Sequence, residues 1–94
     1  RVDGIIVLDI KGRLDTANAR DFSIAIQPLL QEDKPNIIVN CEQMSYISSS
    51  GLRCFLILQK SVQKNQGSLI IEAMRPEIKN IFEMTGCTSL FNIR

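Results

Sequence analysis

The sequence of 94 residues contains no histidine and no tryptophan, and it has a single tyrosine, Tyr46. The absence of histidine removes the most common general base, the most common metal ligand and the usual partner of a serine or cysteine nucleophile. No acid pair stands at a catalytic spacing, and no glycine-rich phosphate loop with its lysine is present. We therefore predict a protein that is not an enzyme and that holds no metal or cofactor.

Charge and apolar runs exclude further classes. Eleven basic and ten acidic residues give a net charge of +1, whereas a nucleic-acid-binding domain shows a clustered basic surface. No apolar run approaches the ~20 residues that a membrane-spanning helix needs, and no secretory signal is visible. Cys41, Cys54 and Cys87 are odd in number and lie in apolar surroundings. Such cysteines predict reduced, buried thiols and a cytoplasmic protein.

Strand and helix patterns alternate along one domain, residues 1–94. Strands are predicted at residues 5–10, 37–41, 69–71 and 90–93, with the second strand covered on both faces. Helices are predicted after a cap at Asp15 or Thr16, after residue 50 and from Pro76. The order β-α-β-α-β-α-β predicts an α/β fold with a mostly parallel sheet of about four to five strands. The Asp3-Gly4 turn signal suggests that a first strand is truncated.

The most informative segment is Ser48-Ser49-Ser50-Gly51-Leu52, which follows a polar stretch at residues 42–46 and opens a helical pattern. Free N–H groups and the positive dipole end at a helix N-terminus favour an anion. A serine hydroxyl at this position could cap the helix or carry a phosphate. Gly51 is predicted to allow a close backbone approach at this turn.

In parallel sheets, functional loops gather at the carboxyl ends of the strands. Residues 12–16 and 44–52 are two such loops, and Asp15 faces the serines if their strands are neighbours. Asp15 could also serve only as a helix cap, and Tyr46 could anchor an interface or cover the end of the sheet. Arg53, predicted one residue into the new helix, is unfavourably placed for its dipole. It could point at a partner, pair with an acid or be solvated.

The residues Gly12-Arg13-Leu14-Asp15, the strand at 37–39 and the segment at 44–52 together resemble the STAS domain family. The group that the sequence resembles is the bacterial anti-sigma factor antagonists. The segment from Pro76 to Gly86 matches the third helix of the family, so the resemblance covers nearly the whole chain. The family's last helix is expected to be absent or truncated after Arg94.

The resemblance implies a function by partner switching. An antagonist of this kind captures an anti-sigma factor and releases a sigma factor, until the kinase activity of the anti-sigma factor phosphorylates a serine. A serine phosphatase resets it. On this chain the phosphorylated residue corresponds to Ser49, and Ser48 stands where the best-studied antagonists have Asp. The implied partner-binding residues are Asp15, Tyr46, Ser48, Ser49, Ser50, Gly51 and Arg53.

Two other functions fit the same sequence. The first is a STAS adaptor that is not phosphorylated, resembling the small subunit of bacterial lipid-transport ABC systems, in which the serines only cap the helix. The second is nucleotide binding, which the absence of a phosphate-binding loop disfavours. Under each of these readings the domain is expected to be a monomer or a weak dimer.

Overall fold

A computed structural model describes residues 4–94 of the chain. The helices and strands are β1 (Ile5–Leu14), α1 (Ala19–Leu30), β2 (Asn36–Ile47), α2 (Ser49–Lys64), β3 (Ser68–Glu72), α3 (Pro76–Met84) and β4 (Asn92–Ile93). A 3-10 turn, Thr88–Leu90, precedes β4. All four strands pair in parallel in the order β1-β2-β3-β4, which confirms the predicted α/β class and alternation. The Asp3-Gly4 turn was predicted to follow a truncated first strand, and its Asp3 lies outside the described residues.

One core lies between the sheet and the helices. Buried side chains from all three helices and from β1, β2 and β3 join a single cluster, so the helices cover the same face of the sheet. Right-handed crossovers between strands in sequential order produce this one-sided arrangement. Phe55 is central, because its ring centroid lies 5.8 Å from that of Phe22, 6.0 Å from Phe82 and 6.4 Å from Phe91.

The other face of the sheet is partly exposed within residues 4–94. Ile37 and Val39 are buried on the helix side, whereas Ile38 between them is only half-buried and Val7 of β1 is 46% exposed. The prediction that the second strand is covered on both faces is therefore wrong for the part of the chain that the structure describes. A continuous apolar run is typical of a strand covered on both faces, but β2 also carries apolar residues on its partly open face.

Both β1 and β2 are longer than predicted, so the two expected loops begin inside strands. β1 continues through Gly12 to Leu14, and β2 continues through the polar residues 42–46 to Ile47. The register shifts between Asp9 and Lys11 and again between Gly12 and Arg13, and each shift inserts one extra residue in β2. These bulges break the alternation of buried and exposed side chains that identifies a strand in a sequence. The residues at 42–46 consequently have the pattern of a loop.

The predicted start of α3 is confirmed. Pro76 is the first residue of α3, and Gly86 follows its end with a φ of 73°. After the end of α2 at Lys64, the left-handed backbone conformation belongs to Gln66, with a φ of 62°. Gly67 permits a close approach of two backbone segments, because a Cβ atom on it would clash with the carbonyl oxygen of Pro35. Pro28 lies in the last turn of α1, which ends at Leu30.

The three cysteines are buried free thiols, as predicted. Burial raises the pKa of Cys41 to about 12. Burial also raises the pKa of the Cys54 thiol, and the positive charge of Arg53 opposes that rise. No helix within the described range is both long enough and apolar enough to cross a membrane. Residues 4–94 also contain no cluster of three potential metal ligands.

Candidate functional site

The serines lie where β2 ends and α2 begins, and Ser48 is the N-cap of the helix. Its backbone is extended, and its Oγ accepts a hydrogen bond from the Gly51 N–H at 3.2 Å. Its carbonyl oxygen accepts the Leu52 N–H at 2.9 Å. An N-cap serine satisfies N–H groups that have no partner inside the helix. The capping role that the sequence left open for the serine cluster therefore belongs to Ser48.

Ser49 and Ser50 form the first turn of α2 with different surroundings. Ser50 is half-buried, and its Oγ lies 3.5 Å from the Thr16 Oγ1. Ser49 is the first helical residue, is exposed, and has no side-chain hydrogen bond to any residue that the structure describes. Of the three hydroxyls, that of Ser49 is thus the one free to meet a second molecule.

The end of β1 is held directly against the serine segment. Leu14 pairs with Ile47, and its carbonyl oxygen accepts the Ser48 N–H at 2.8 Å. The adjacent turn supplies the Thr16 contact to Ser50. This confirms the expectation that the turn containing Asp15 and the serine segment meet at one end of the sheet.

Gly51 allows this close packing. A Cβ atom at Gly51 would lie 2.9 Å from the carbonyl oxygen of Leu14, and equally 2.9 Å from side-chain atoms of Leu14 and Ile47. The predicted close approach is therefore present. Because Gly51 is buried, it positions the first turn of α2, and its own surface is not available to another protein.

Asp15 organises the turn between β1 and α1. Its carboxylate accepts N–H bonds from Ala17 at 3.1 Å and Asn18 at 3.3 Å, and it pairs with the Arg13 Nε at 3.3 Å. The side chain remains 28% exposed. The prediction that Asp15 or Thr16 is the N-cap of α1 is wrong. That position is Asn18, whose side chain bonds back to the Asp15 N–H and the Arg13 carbonyl.

Tyr46 lies in β2 rather than in a loop, and its ring is covered by Arg13. The Arg13 guanidinium carbon lies 4.5 Å from the ring centroid of Tyr46, within the range of a cation–π contact. The two residues are paired across β1 and β2. Tyr46 is 37% exposed, so the stack forms part of the surface at this end of the sheet.

Arg53 lies one full turn into α2, further than the predicted single residue, because the helix begins at Ser49. It is exposed and has no ion pair or hydrogen bond within residues 4–94. Ser49 and Arg53 are separated by four residues, which places their side chains on the same face of the helix. The structure therefore presents a free hydroxyl and a free cation side by side.

Sequence reasoning missed the roles of Arg13, Thr16 and Asn18. Arg13 was noted only as part of a motif, yet it contacts both Asp15 and Tyr46. Thr16 was considered as a cap, and it instead contacts Ser50. The missing signal was the register of β1 against β2, since the two bulges bring Arg13 opposite Tyr46 and Leu14 opposite Ile47.

The fold and the site define a parallel α/β domain that presents a serine-bearing helix N-terminus beside the end of β1. The model of the STAS domain family matches residues 1–94, and the chain belongs to this family. The family resemblance drawn from the motifs is thereby confirmed.

Similar proteins carry consistent names. A provisionally named anti-sigma factor antagonist, BtrV of Bordetella bronchiseptica, is 26% identical over 99% of this chain and 80% of its own length. The anti-sigma-B factor antagonist of Staphylococcus aureus is 29% identical over 97% of this chain and 84% of its own length.

Among solved structures, the Bacillus anti-sigma factor antagonist SpoIIAA shares the fold. Its unphosphorylated form is 18% identical, with a TM-score of 0.74, over 100% of this chain and 82% of that chain. Its phosphorylated form is 21% identical, with a TM-score of 0.73, over 97% and 83%.

Proposed function

We propose that this protein is a cytoplasmic anti-sigma factor antagonist. In this proposal it binds an anti-sigma factor, releases the sigma factor that the anti-sigma factor holds, and is switched off when the anti-sigma factor phosphorylates Ser49. A serine phosphatase restores the binding form. The proposal is supported by membership of the STAS family and by the names of relatives that match nearly the whole chain. The observation that carries it is the exposed, unbonded hydroxyl of Ser49 at the first position of α2.

The proposed binding surface surrounds that hydroxyl. It combines the neutral first turn of α2 with Arg53, the Asp15 turn and the Arg13–Tyr46 stack. Ser48 and Gly51 belong to it by shaping the turn, through the cap and the close packing described above. An aromatic and an arginine that are partly exposed and already held in place are the residue types that often dominate protein interfaces.

Phosphorylation at Ser49 is expected to change binding without unfolding the domain. A phosphate adds roughly −1.5 to −2 charges at pH 7. The dipole and free N–H groups of α2 favour an anion at the first helical position. A partner surface that fits a neutral hydroxyl must instead desolvate the phosphate, and an unpaired buried charge costs several kcal/mol. Phosphorylation is therefore expected to weaken the complex and to leave the folded domain intact.

Serine at position 48 is compatible with this mechanism. An Asp at an N-cap accepts the same N–H bonds as the Ser48 hydroxyl, which here bonds the Gly51 N–H. The change removes one negative charge next to the proposed phosphorylation site and preserves the cap. We therefore propose that a kinase of this system recognises the turn by its shape and does not require an acid at position 48.

The test is phosphorylation by the anti-sigma kinases of the organism's own genome. The purified domain is incubated with ATP and each candidate kinase, and its intact mass and phosphopeptides are measured. We expect one added phosphate on Ser49 and none on a Ser49→Ala variant. Ser89, which is also exposed, provides the matched control, since Ser89→Ala should accept the phosphate like the wild type.

Two results would count against the proposal. Phosphate on Ser50 or Thr16 in place of Ser49 would show that the wrong hydroxyl has been assigned. Absence of phosphate with every kinase, together with a stable complex between the domain and an ABC-transporter ATPase, would favour the adaptor function and leave the serines as a helix cap.

A further inference from the structure

Arg53 is a cation without a structural role in residues 4–94. It is exposed, it lies just beyond the first turn of α2, and it forms no hydrogen bond or ion pair with any residue that the structure describes. The other arginine beside the serines, Arg13, is already engaged by Asp15 at 3.3 Å and by the Tyr46 ring at 4.5 Å. Arg53 is thus a cation near Ser49 that no other described residue engages.

The spacing indicates what Arg53 is placed to bind. Side chains at i and i+4 on a helix have Cβ atoms about 5–6 Å apart, and an anion N-terminal to a cation is the favourable order. Ser49 and Arg53 have this spacing and order in α2. An arginine guanidinium donates paired N–H bonds to phosphate oxygens, which a single ammonium group does not match.

We propose that Arg53 is the positioning residue for the phosphorylated state, in which its guanidinium pairs with a phosphate on Ser49 along the same face of α2. This inference rests on the proposed phosphorylation of Ser49. Its consequence is that modification changes the binding surface twice, because the phosphate adds negative charge and also engages the cation that the unmodified surface presents. The pair also stabilises α2, so the phosphorylated domain should be more stable to heat than the unmodified one.

Other charged groups near the serines define the competing outcomes. Asp15 lies in the facing turn and repels a phosphate. Arg20 is exposed at the start of α1, and its neighbour Ala19 accepts a hydrogen bond from Cys54 of α2 through its carbonyl oxygen. Arg20 is therefore the rival cation, although no fixed spacing on one helix aligns it with Ser49.

The experiment installs phosphoserine at position 49 during translation, so that no kinase is needed. The phosphate is then titrated by ³¹P NMR, and melting temperatures are measured with and without it. We expect Arg53→Gln to move the titration midpoint to higher pH by about 0.3 or more, because an adjacent cation favours the dianion. The same variant should lose part of the gain in melting temperature, and Arg53→Lys should fall between it and the wild type.

Matched controls distinguish the pair from a general charge effect. Lys60→Gln removes another exposed cation from the same helix, about 10 Å further along its axis, and should leave the midpoint in place. The proposal is overturned if Arg53→Gln behaves like Lys60→Gln, or if Arg20→Gln moves the midpoint and Arg53→Gln does not. Because the phosphate is installed without a kinase, these results are independent of whether any kinase modifies Ser49.

Discussion

Replacing Gly51 with alanine should destabilise the domain, although the same change in an ordinary helix is stabilising. Alanine is favoured over glycine by about 1 kcal/mol in a helix interior. At this position, however, the new methyl group would lie 2.9 Å from the Leu14 carbonyl oxygen and from side-chain atoms of Leu14 and Ile47. Relief requires α2 to move away from β1.

The magnitude follows from opposing effects. Overpacking of a well-packed site costs about 1–3 kcal/mol. Movement of the Leu14 carbonyl also weakens its 2.8 Å hydrogen bond from the Ser48 N–H, and such a bond contributes about 0.5–1.5 kcal/mol. After subtraction of the helix-propensity gain, we expect a net loss of about 1–3 kcal/mol. For a domain of this size each kcal/mol lowers the melting temperature by about 4–8 °C.

Thermal and urea unfolding of Gly51→Ala and wild type measure this loss. Gln63→Ala is the matched control, because Gln63 is an exposed residue of α2 and its replacement should leave the melting temperature unchanged or slightly raised. A Gly51→Ala protein that melts at or above the wild-type temperature would refute the reasoning, since it would show that α2 does not pack against β1 as closely as described.

Three further predictions concern the cap, the aromatic stack and the buried thiol. Ser48→Ala should lower the free energy of unfolding by about 1 kcal/mol in urea titrations through loss of the bond to the Gly51 N–H, whereas Ser48→Asp should retain wild-type stability. Tyr46 is the only tyrosine in a chain without tryptophan, so Arg13→Gln should change the intrinsic fluorescence while costing at most about 1 kcal/mol, and an unchanged spectrum would argue against the stack. Burial raises the pKa of Cys41 to about 12, so the Cys41 thiol ionises at a lower pH in the unfolded chain than in the folded one. The contribution of the neutral thiol to stability is therefore complete below about pH 8.5, and it declines as the pH rises from there. Cys41→Val should show a shallower loss of stability between about pH 8.5 and 10.5, measured by urea unfolding at each pH, and equal slopes would contradict the assignment.

The sequence was sufficient for the fold because local signals agreed with one another. The apolar strands, the alternation with helices, and punctuation such as Pro76 and Gly86 all indicate the same parallel α/β architecture. Resemblance of two separated motifs to the STAS family added the site. It was informative because the residues at 12–15 and 44–52 lie together in space, as the contact between Thr16 and Ser50 shows.

Most of the details of the site that the sequence did not reveal depend on strand register, and the cap of α1 depends on the local turn. The two bulges in β2 interrupt the alternation of buried and exposed residues in the second half of that strand. The sequence therefore predicts a loop at Tyr46 and does not predict that Arg13 covers its ring. The cap of α1 was placed at Asp15 or Thr16 because both are good capping residues, whereas Asn18 occupies the position and Asp15 bonds the turn before it. A side chain's hydrogen-bonding capacity is visible in a sequence, but its partner is set by the path of the local turn and by the register of neighbouring strands.

The central claim is that an unmodified Ser49 is required for binding to an anti-sigma factor. Its most direct test is the affinity of that partner for the unmodified domain, for the domain phosphorylated at Ser49, and for Ser49→Asp, with melting temperatures measured in parallel. We predict that phosphorylation weakens binding by about 100-fold or more, that Ser49→Asp weakens it in the same direction, and that neither change unfolds the domain. Equal affinities for the three proteins would contradict the account.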